Sequence, residues 1–298
     1  MSKLVYHSSR FLCYALSAFM TLFLALSIIS FSVNVTLGND EFLEKEFKKA
    51  EVITSLVSEL ESNFKDLSDK TGVPCSVFTD AAGYDFIISV QPSVIRSMHN
   101  TSKTDFSNIT NLKNRYIDAL NKYDKANHIN RNSEDTDFIA EEAVKIFNST
   151  CSIENSEQFY PLTKYMGEKL FIAGFVLIIC FVVLNFAEYM ISGKRRKSFN
   201  FTAMSVMAAG EILITLTLLF FLSTVFQTTE FTNAAAYNTA LSKSIFIMML
   251  IVFAAGIICI LSALAIFFSN FKYYKRKLIE CDTENEISRN IIKNNQNF

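Results

Sequence analysis

Four long apolar stretches divide the chain, and each is almost free of charged residues. They cover residues 11–33, 170–191, 201–226 and 244–268. An α-helix rises about 1.5 Å per residue, so about 20 apolar residues are enough to cross a hydrocarbon core roughly 30 Å thick. The pattern therefore predicts four transmembrane helices, and it makes the lipid bilayer the first expected partner of the chain.

A different pattern follows the first apolar stretch. From residue 43 to residue 67 apolar side chains recur at steps of three and four, and Glu and Lys fill most of the other positions. This period predicts an amphipathic helix. Asn39 is a suitable N-cap, while Gly72 followed by Pro74 is a typical helix end. A helix with one apolar face needs a core to pack against, which indicates a folded domain.

The remainder of this segment supports a small, mainly helical domain. Stripes with the same helical period run through residues 106–123 and 138–147. Residues 78–98 are less regular, and both one or two short helices and a strand fit their pattern. The fold class expected from the sequence is thus an all-α membrane protein with four transmembrane helices and a mainly helical extracytoplasmic domain between the first and the second.

Positive charge lies beside the apolar stretches and sets the expected orientation. Lys194, Arg195, Arg196 and Lys197 separate the second stretch from the third. Such a cluster is hard to translocate and stays on the cytoplasmic side. Residues 34–165, by contrast, carry 14 Lys and Arg against 21 Asp and Glu. The charges therefore predict an acidic domain outside the cytoplasm and both termini inside it.

These patterns divide the chain into nine expected segments. The first stretch is longer than the 7–15-residue apolar core of a signal peptide, so we interpret it as an uncleaved signal anchor rather than a cleaved signal peptide. The expected segments are a cytoplasmic N-terminus (1–10), transmembrane helix 1 (11–33), the extracytoplasmic domain (34–165), transmembrane helix 2 (166–192), a cytoplasmic loop (193–200), transmembrane helix 3 (201–226), an outer loop (227–243), transmembrane helix 4 (244–270) and a cytoplasmic tail (271–298).

Three polar residues inside the apolar stretches are candidates for function. Glu211 lies well inside the third stretch, while Asn185 and Glu188 lie near the end of the second. A carboxyl group at such depth costs about 2–4 kcal/mol unless it is neutralised or paired. Glu211 is therefore either a functional group or a hydrogen-bonded contact between helices, with Asn185 and Glu188 as the expected partners.

Two of the six cysteines, Cys75 and Cys151, fall in the predicted extracytoplasmic domain. An oxidising compartment permits a disulfide between them, which would stabilise the domain by about 2–4 kcal/mol. The alternative is two unrelated buried thiols.

The sequence offers no CxxC pair, HExxH motif, phosphate-binding loop or nucleophile elbow, so we expect no catalytic residue, cofactor or metal. Its basic clusters adjoin membrane segments, which argues against a nucleic-acid partner.

Some local sequences resemble known membrane proteins. The run Asn-Val-Thr-Leu-Gly-Asn-Asp-Glu-Phe-Leu after the first stretch, the segment 70–74 (Lys-Thr-Gly-Val-Pro) and the junction after Phe159 and Tyr160 resemble uncharacterised four-pass membrane proteins of low-GC Gram-positive bacteria. In layout alone, one helix, an outer domain and three more helices are similar to the transmembrane subunits of FtsX- and MacB-type ABC systems. This chain departs from them in its short N-terminus and its short second loop.

The function expected from these features is recognition rather than catalysis. We expect a multi-pass protein of the bacterial cell membrane that acts as a non-enzymatic scaffold or sensor and engages a protein partner or ligand outside. The alternative is a permease-like subunit of an ABC-type transporter that works with an ATPase in trans.

Overall fold

The computed structural model describes residues 3–99, 112–151, 168–192, 195–223 and 234–295, and within these ranges every regular element is an α-helix. Residues 78–98, for which a strand was an alternative, belong to two helices that are separated at Gly83. In chain order the helices are α1 (Lys3–Val35), α2 (Asp40–Phe47), α3 (Ala50–Asn63), α4 (Lys65–Thr71), α5 (Cys75–Ala82), α6 (Tyr84–His99), α7 (Leu112–Ala126), α8 (Ser133–Cys151), α9 (Glu168–Ser192), α10 (Arg195–Leu222) and α11 (Ala235–Asn295).

The chain forms two compact units. One comprises Met1–Ser30, Ile172–Phe221 and Leu250–Phe298, and we call it the membrane unit. The other comprises Phe31–Phe171 and Leu222–Met249, and we call it the helical domain. The first residues of α11 belong to the helical domain, although the sequence predicted an outer loop up to residue 243.

Helix ends in the helical domain follow the predicted signals. The side chain of Asn39 accepts hydrogen bonds from the backbone N–H groups of Glu41 (3.0 Å) and Phe42 (3.2 Å), which caps α2. Gly72 adopts a φ of 70°, a left-handed conformation that favours glycine, and ends α4. The amphipathic stretch between these signals is divided into α2, α3 and α4 instead of forming one helix.

Aromatic side chains form much of the core of the helical domain. The ring centroids of Phe64 and Phe78 are 5.3 Å apart, and those of Phe64 and Tyr116 are 6.1 Å apart. A second aromatic pair, Phe47 and Tyr237, has centroids 5.1 Å apart and joins α2 to α11. Burial of such side chains contributes about 1.5–3 kcal/mol each, and favourable ring geometry adds about 0.5–1.5 kcal/mol per pair.

Of the two alternatives left open for Cys75 and Cys151, the structure has two free thiols and no disulfide between them. Cys75, which is half-buried at the start of α5, and Cys151, which is buried at the end of α8, are both free thiols. Each contributes to the core of the helical domain as a small apolar side chain. Cys151 is a fully buried member of this core, and Cys75 is packed against the core.

Four helices are long and apolar enough to cross a membrane, as the sequence predicted. The segments with this character are Phe11–Val35, Lys169–Ser192, Lys197–Leu222 and Ala235–Arg276. The protein thus has the architecture of a multi-pass membrane protein with four candidate spans.

Small residues mediate close helix packing in the membrane unit. A Cβ atom added to Gly210 of α10 would lie 2.7 Å from the backbone oxygen of Gly256 in α11. The two backbones therefore approach closely because neither residue has a side chain, which is a typical helix contact in membranes. Ala25 of α1 packs in the same unit with Ala209 and Leu213 of α10.

Candidate binding pocket in the helical domain

The structure separates the three intramembrane polar residues that the sequence singled out. Glu211 lies exposed on the surface of α10 and makes no hydrogen bond or ion pair with any described residue. Asn185 donates a hydrogen bond from Nδ2 to Oγ1 of Thr202 at 2.6 Å. Glu188 is fully buried. The expected pairing of Glu211 with Asn185 or Glu188 is therefore not formed.

The basic cluster that sets the predicted orientation lies at the start of α10. Lys194 falls outside the described residues. Arg195 and Arg196 form the first turn of the helix, and the side chain of Lys197 is exposed.

A pocket of about 230 Å³ opens between α3 and α8 in the helical domain. Every side chain around it is polar. The hydrogen bond from Asn63 Nδ2 to Thr150 Oγ1, 2.8 Å long, joins the two helices at this point. The residues that line the pocket are Glu59, Ser62 and Asn63 of α3 and Ser149 and Thr150 of α8.

Glu59 supplies the only carboxylate among these lining residues. Its Oε2 atom is buried and has no hydrogen-bond partner among the described residues. Burial raises the pKa of Glu59, and the backbone N–H groups of Ala235 and Ala236, at the start of α11, oppose this shift by favouring the charged form. A helix N-terminus stabilises negative charge in this way. The carboxylate therefore has one oxygen available as an acceptor.

Buried polar groups lie near Glu59, and two of them, Cys151 and Tyr237, are in electrostatic contact with its carboxylate. Gln91, Tyr116, Cys151 and Tyr237 are all fully buried. The hydroxyl of Tyr116 and the Oε1 atom of Gln91 have no hydrogen-bond partner within the described ranges. An unsatisfied buried polar group costs about 1–3 kcal/mol. These polar groups therefore lower the stability of the helical domain, and destabilising polar groups are typical of a functional region.

The thiol of Cys151 is unsuited to act as a nucleophile. Burial raises its pKa strongly, and the nearby carboxylate of Glu59 raises it further. The reactive thiolate form is therefore disfavoured. No group of three His, Cys, Asp or Glu residues within the described part of the chain is arranged to hold a metal ion. The arrangement favours hydrogen bonding to a polar molecule.

No pattern in the sequence indicated this pocket. Glu59 occupies an ordinary polar position of an amphipathic helix, and Ser149 and Thr150 are common surface residues. The start of α11 reaches Glu59 across a long separation in the chain, which no local pattern reveals. Gln91 next to Pro92 was the one local irregularity that could have drawn attention to this region.

Comparison of the chain with protein-family models, with curated proteins and with solved structures finds no match.

Proposed function

We propose that this chain is a non-enzymatic recognition protein of the bacterial cell membrane and that its helical domain binds a small polar ligand. The observation that carries this proposal is the polar pocket between α3 and α8 with the buried, donor-free Oε2 atom of Glu59. Oriented polar groups around a concave surface are the usual means of fixing a ligand.

The lining residues define the chemical class of the ligand. The acceptor at Glu59 favours a protonated amine, while Asn63, Ser149 and Thr150 offer neutral donors and acceptors. A volume of about 230 Å³ is below the range of about 300–1,000 Å³ typical of drug-sized ligands. The ligand we propose is a small hydroxylated or unsubstituted alkylammonium ion.

The charge pattern supports a location of the helical domain outside the cytoplasm. The basic cluster at residues 194–197 and the basic start of the tail favour the cytoplasm, whereas the segment between the first two spans is acidic. The helix α11 supplies residues to both units. We propose that a shift of its first turn on ligand binding is transmitted along this continuous helix to the membrane unit.

Isothermal titration of the full chain in lipid nanodiscs tests the ligand class. The probes are methylammonium, ethylammonium and ethanolammonium ions. Glu59→Gln removes the charge but keeps the shape, and Glu61→Gln, on the exposed face of the same helix, is the matched control. Loss of a hydrogen bond to a charged group costs about 1.5–3 kcal/mol. We therefore expect binding about tenfold weaker or worse in Glu59→Gln and unchanged in Glu61→Gln. Equal binding by both variants, or binding of none of the probes, contradicts the proposal.

A reporter fusion tests the orientation separately. An enzyme that is active only in the cytoplasm, fused after residue 298, should be active, and external protease should digest the segment 40–160 in intact cells. An inactive fusion would contradict the cytoplasmic C-terminus.

One observation favours the alternative of a permease-like subunit with an ATPase in trans. Polar side chains are buried between helices of the membrane unit, including Ser205 and Glu188, and buried polar groups in spans often belong to transport pathways. This alternative predicts that an ATPase co-purifies with the chain in mild detergent.

A further inference from the structure

The membrane unit contains a carboxyl group that the pocket hypothesis does not use. Glu188 of α9 has no exposed surface, and neither of its carboxylate oxygens has a hydrogen-bond partner among the residues that the structure describes. It lies four positions before Ser192, where the candidate span ends. A rise of about 1.5 Å per residue places it roughly 6 Å from that end.

Neighbouring polar groups in the membrane unit are paired with one another. The Oγ atoms of Ser17 and Ser205 are 2.6 Å apart, and Thr21 donates to the carbonyl of Ser205 at 3.3 Å. One turn before Glu188 in the chain, Asn185 is bonded to Thr202. The hydroxyls and the amide of this region thus satisfy each other across α1, α9 and α10, while the carboxyl of Glu188 is left without a donor.

Among the side chains that the structure describes, no charged group compensates an ionised Glu188 carboxylate. Cys13 of α1 is the titratable side chain that faces it. No Lys or Arg of α9, α10 or α11 whose side chain is described forms an ion pair with it, and the described Lys197 is exposed. Burial of an ion without a partner costs several kcal/mol, and such a group takes up a proton instead.

The second intramembrane glutamate provides an internal comparison. Glu211 is exposed on α10, whereas Glu188 is enclosed between helices. Depth in the apolar stretch favoured Glu211 as the candidate, but Glu188 is the carboxyl group that the structure encloses.

We propose that Glu188 is a proton-binding site of the membrane unit, which takes up a proton when the unit is packed as described and releases it as the pH rises. The reaction is reversible protonation of one carboxyl oxygen, with water as the source and acceptor of the proton. This proposal is independent of ligand binding by the helical domain.

Infrared difference spectroscopy of the full chain in phosphatidylglycerol and phosphatidylcholine vesicles tests the site. Spectra recorded at acidic and alkaline pH report the C=O band of protonated carboxyl groups. We expect a band that decreases as the pH rises, that is absent from Glu188→Gln and that persists in the matched control Glu211→Gln. Glu188→Asp should shift this band, which provides a second test if Glu188→Gln does not fold.

Two outcomes would overturn the proposal. A band that belongs to Glu188 but does not change over the whole accessible pH range would identify a permanently neutral packing group. A titrating band that disappears in Glu211→Gln and remains in Glu188→Gln would assign the proton to the exposed glutamate.

Discussion

The helical domain and the membrane unit are both built from α-helices, but they bury opposite kinds of side chain. The helical domain encloses large aromatic residues such as Phe64 and Phe78. The membrane unit encloses mainly small and hydroxylated residues and leaves most of its large apolar ones on its surface. Its buried residues include Ser17, Ala203, Ser205, Ala209 and Thr217, and its exposed residues include Phe11, Phe186, Ile258 and Phe268.

This difference reflects the solvent for which each unit is suited. Water drives large apolar side chains into a core. Lipid tails are as apolar as those side chains, so helices in a membrane associate through close backbone approach and hydrogen bonds. The exceptions in both units are buried polar atoms without partners among the described residues, near Glu59 in one unit and at Glu188 in the other. These exceptions are the places where we propose function.

Truncation of a phenylalanine should distinguish the two units most strongly. Phe78→Ala removes a fully buried ring from the helical domain and should lower the free energy of unfolding by about 3–5 kcal/mol. Phe175→Ala changes a ring that is 55% exposed on α9 and should alter it by less than about 0.5 kcal/mol. Denaturant unfolding of the full chain in detergent micelles, followed by circular dichroism, measures both. Equal losses would show that the exposed faces of the membrane unit are covered by protein.

Enlargement of a glycine, unlike truncation of a phenylalanine, should strongly destabilise the membrane unit. Gly210→Leu places side-chain atoms against the backbone of Gly256, which cannot move aside, so we expect a loss of about 3 kcal/mol or more. The control is Ala208→Leu, at a half-buried position two residues away, with an expected change below about 1 kcal/mol. Thermal denaturation in the same micelles provides the comparison. Similar stability of the two variants would argue against the close helix contact.

The smallest of the three effects should be the pH-dependent difference in the free energy of unfolding between the wild type and Glu59→Gln. Burial raises the pKa of Glu59, so the folded chain holds this proton more tightly than the unfolded chain. The contribution to stability is complete below the ordinary pKa of about 4.3 and is lost as the pH rises through the raised value. Glu59→Gln cannot lose a proton. Relative to the wild type, its free energy of unfolding should therefore increase as the pH rises above the ordinary carboxyl pKa of about 4.3. Urea titrations at several pH values measure this difference, and a constant offset would contradict the buried environment.

Helix boundaries show how far local patterns can be trusted. Asn39 and Gly72 were predicted to cap and end helices, and both do so, because a capping hydrogen bond and a left-handed φ depend on near neighbours. The first turns of α11 were predicted as a loop. Their alanines have little sequence signal, and their helical state is accompanied by burial of Tyr237 in the aromatic core.

The intramembrane carboxyl groups show where local patterns fail. Depth along an apolar stretch identified Glu211 as the costly group and Glu188 as its expected partner, but depth does not specify which side of a helix faces a neighbour. That assignment depends on how each helix is rotated, which is set by contacts such as Gly210 with Gly256. The structure consequently exposes Glu211 and encloses Glu188.

The sequence alone determined the helical class, the four apolar helices and the existence of an amphipathic helical segment, because hydrophobic period and length act locally along the chain. Tertiary structure alone decided that Glu59 meets the start of α11, that Cys75 and Cys151 are separate thiols and that Glu188 is enclosed. Each of these depends on contacts between residues far apart in the chain, whose geometry is fixed only when the helices pack.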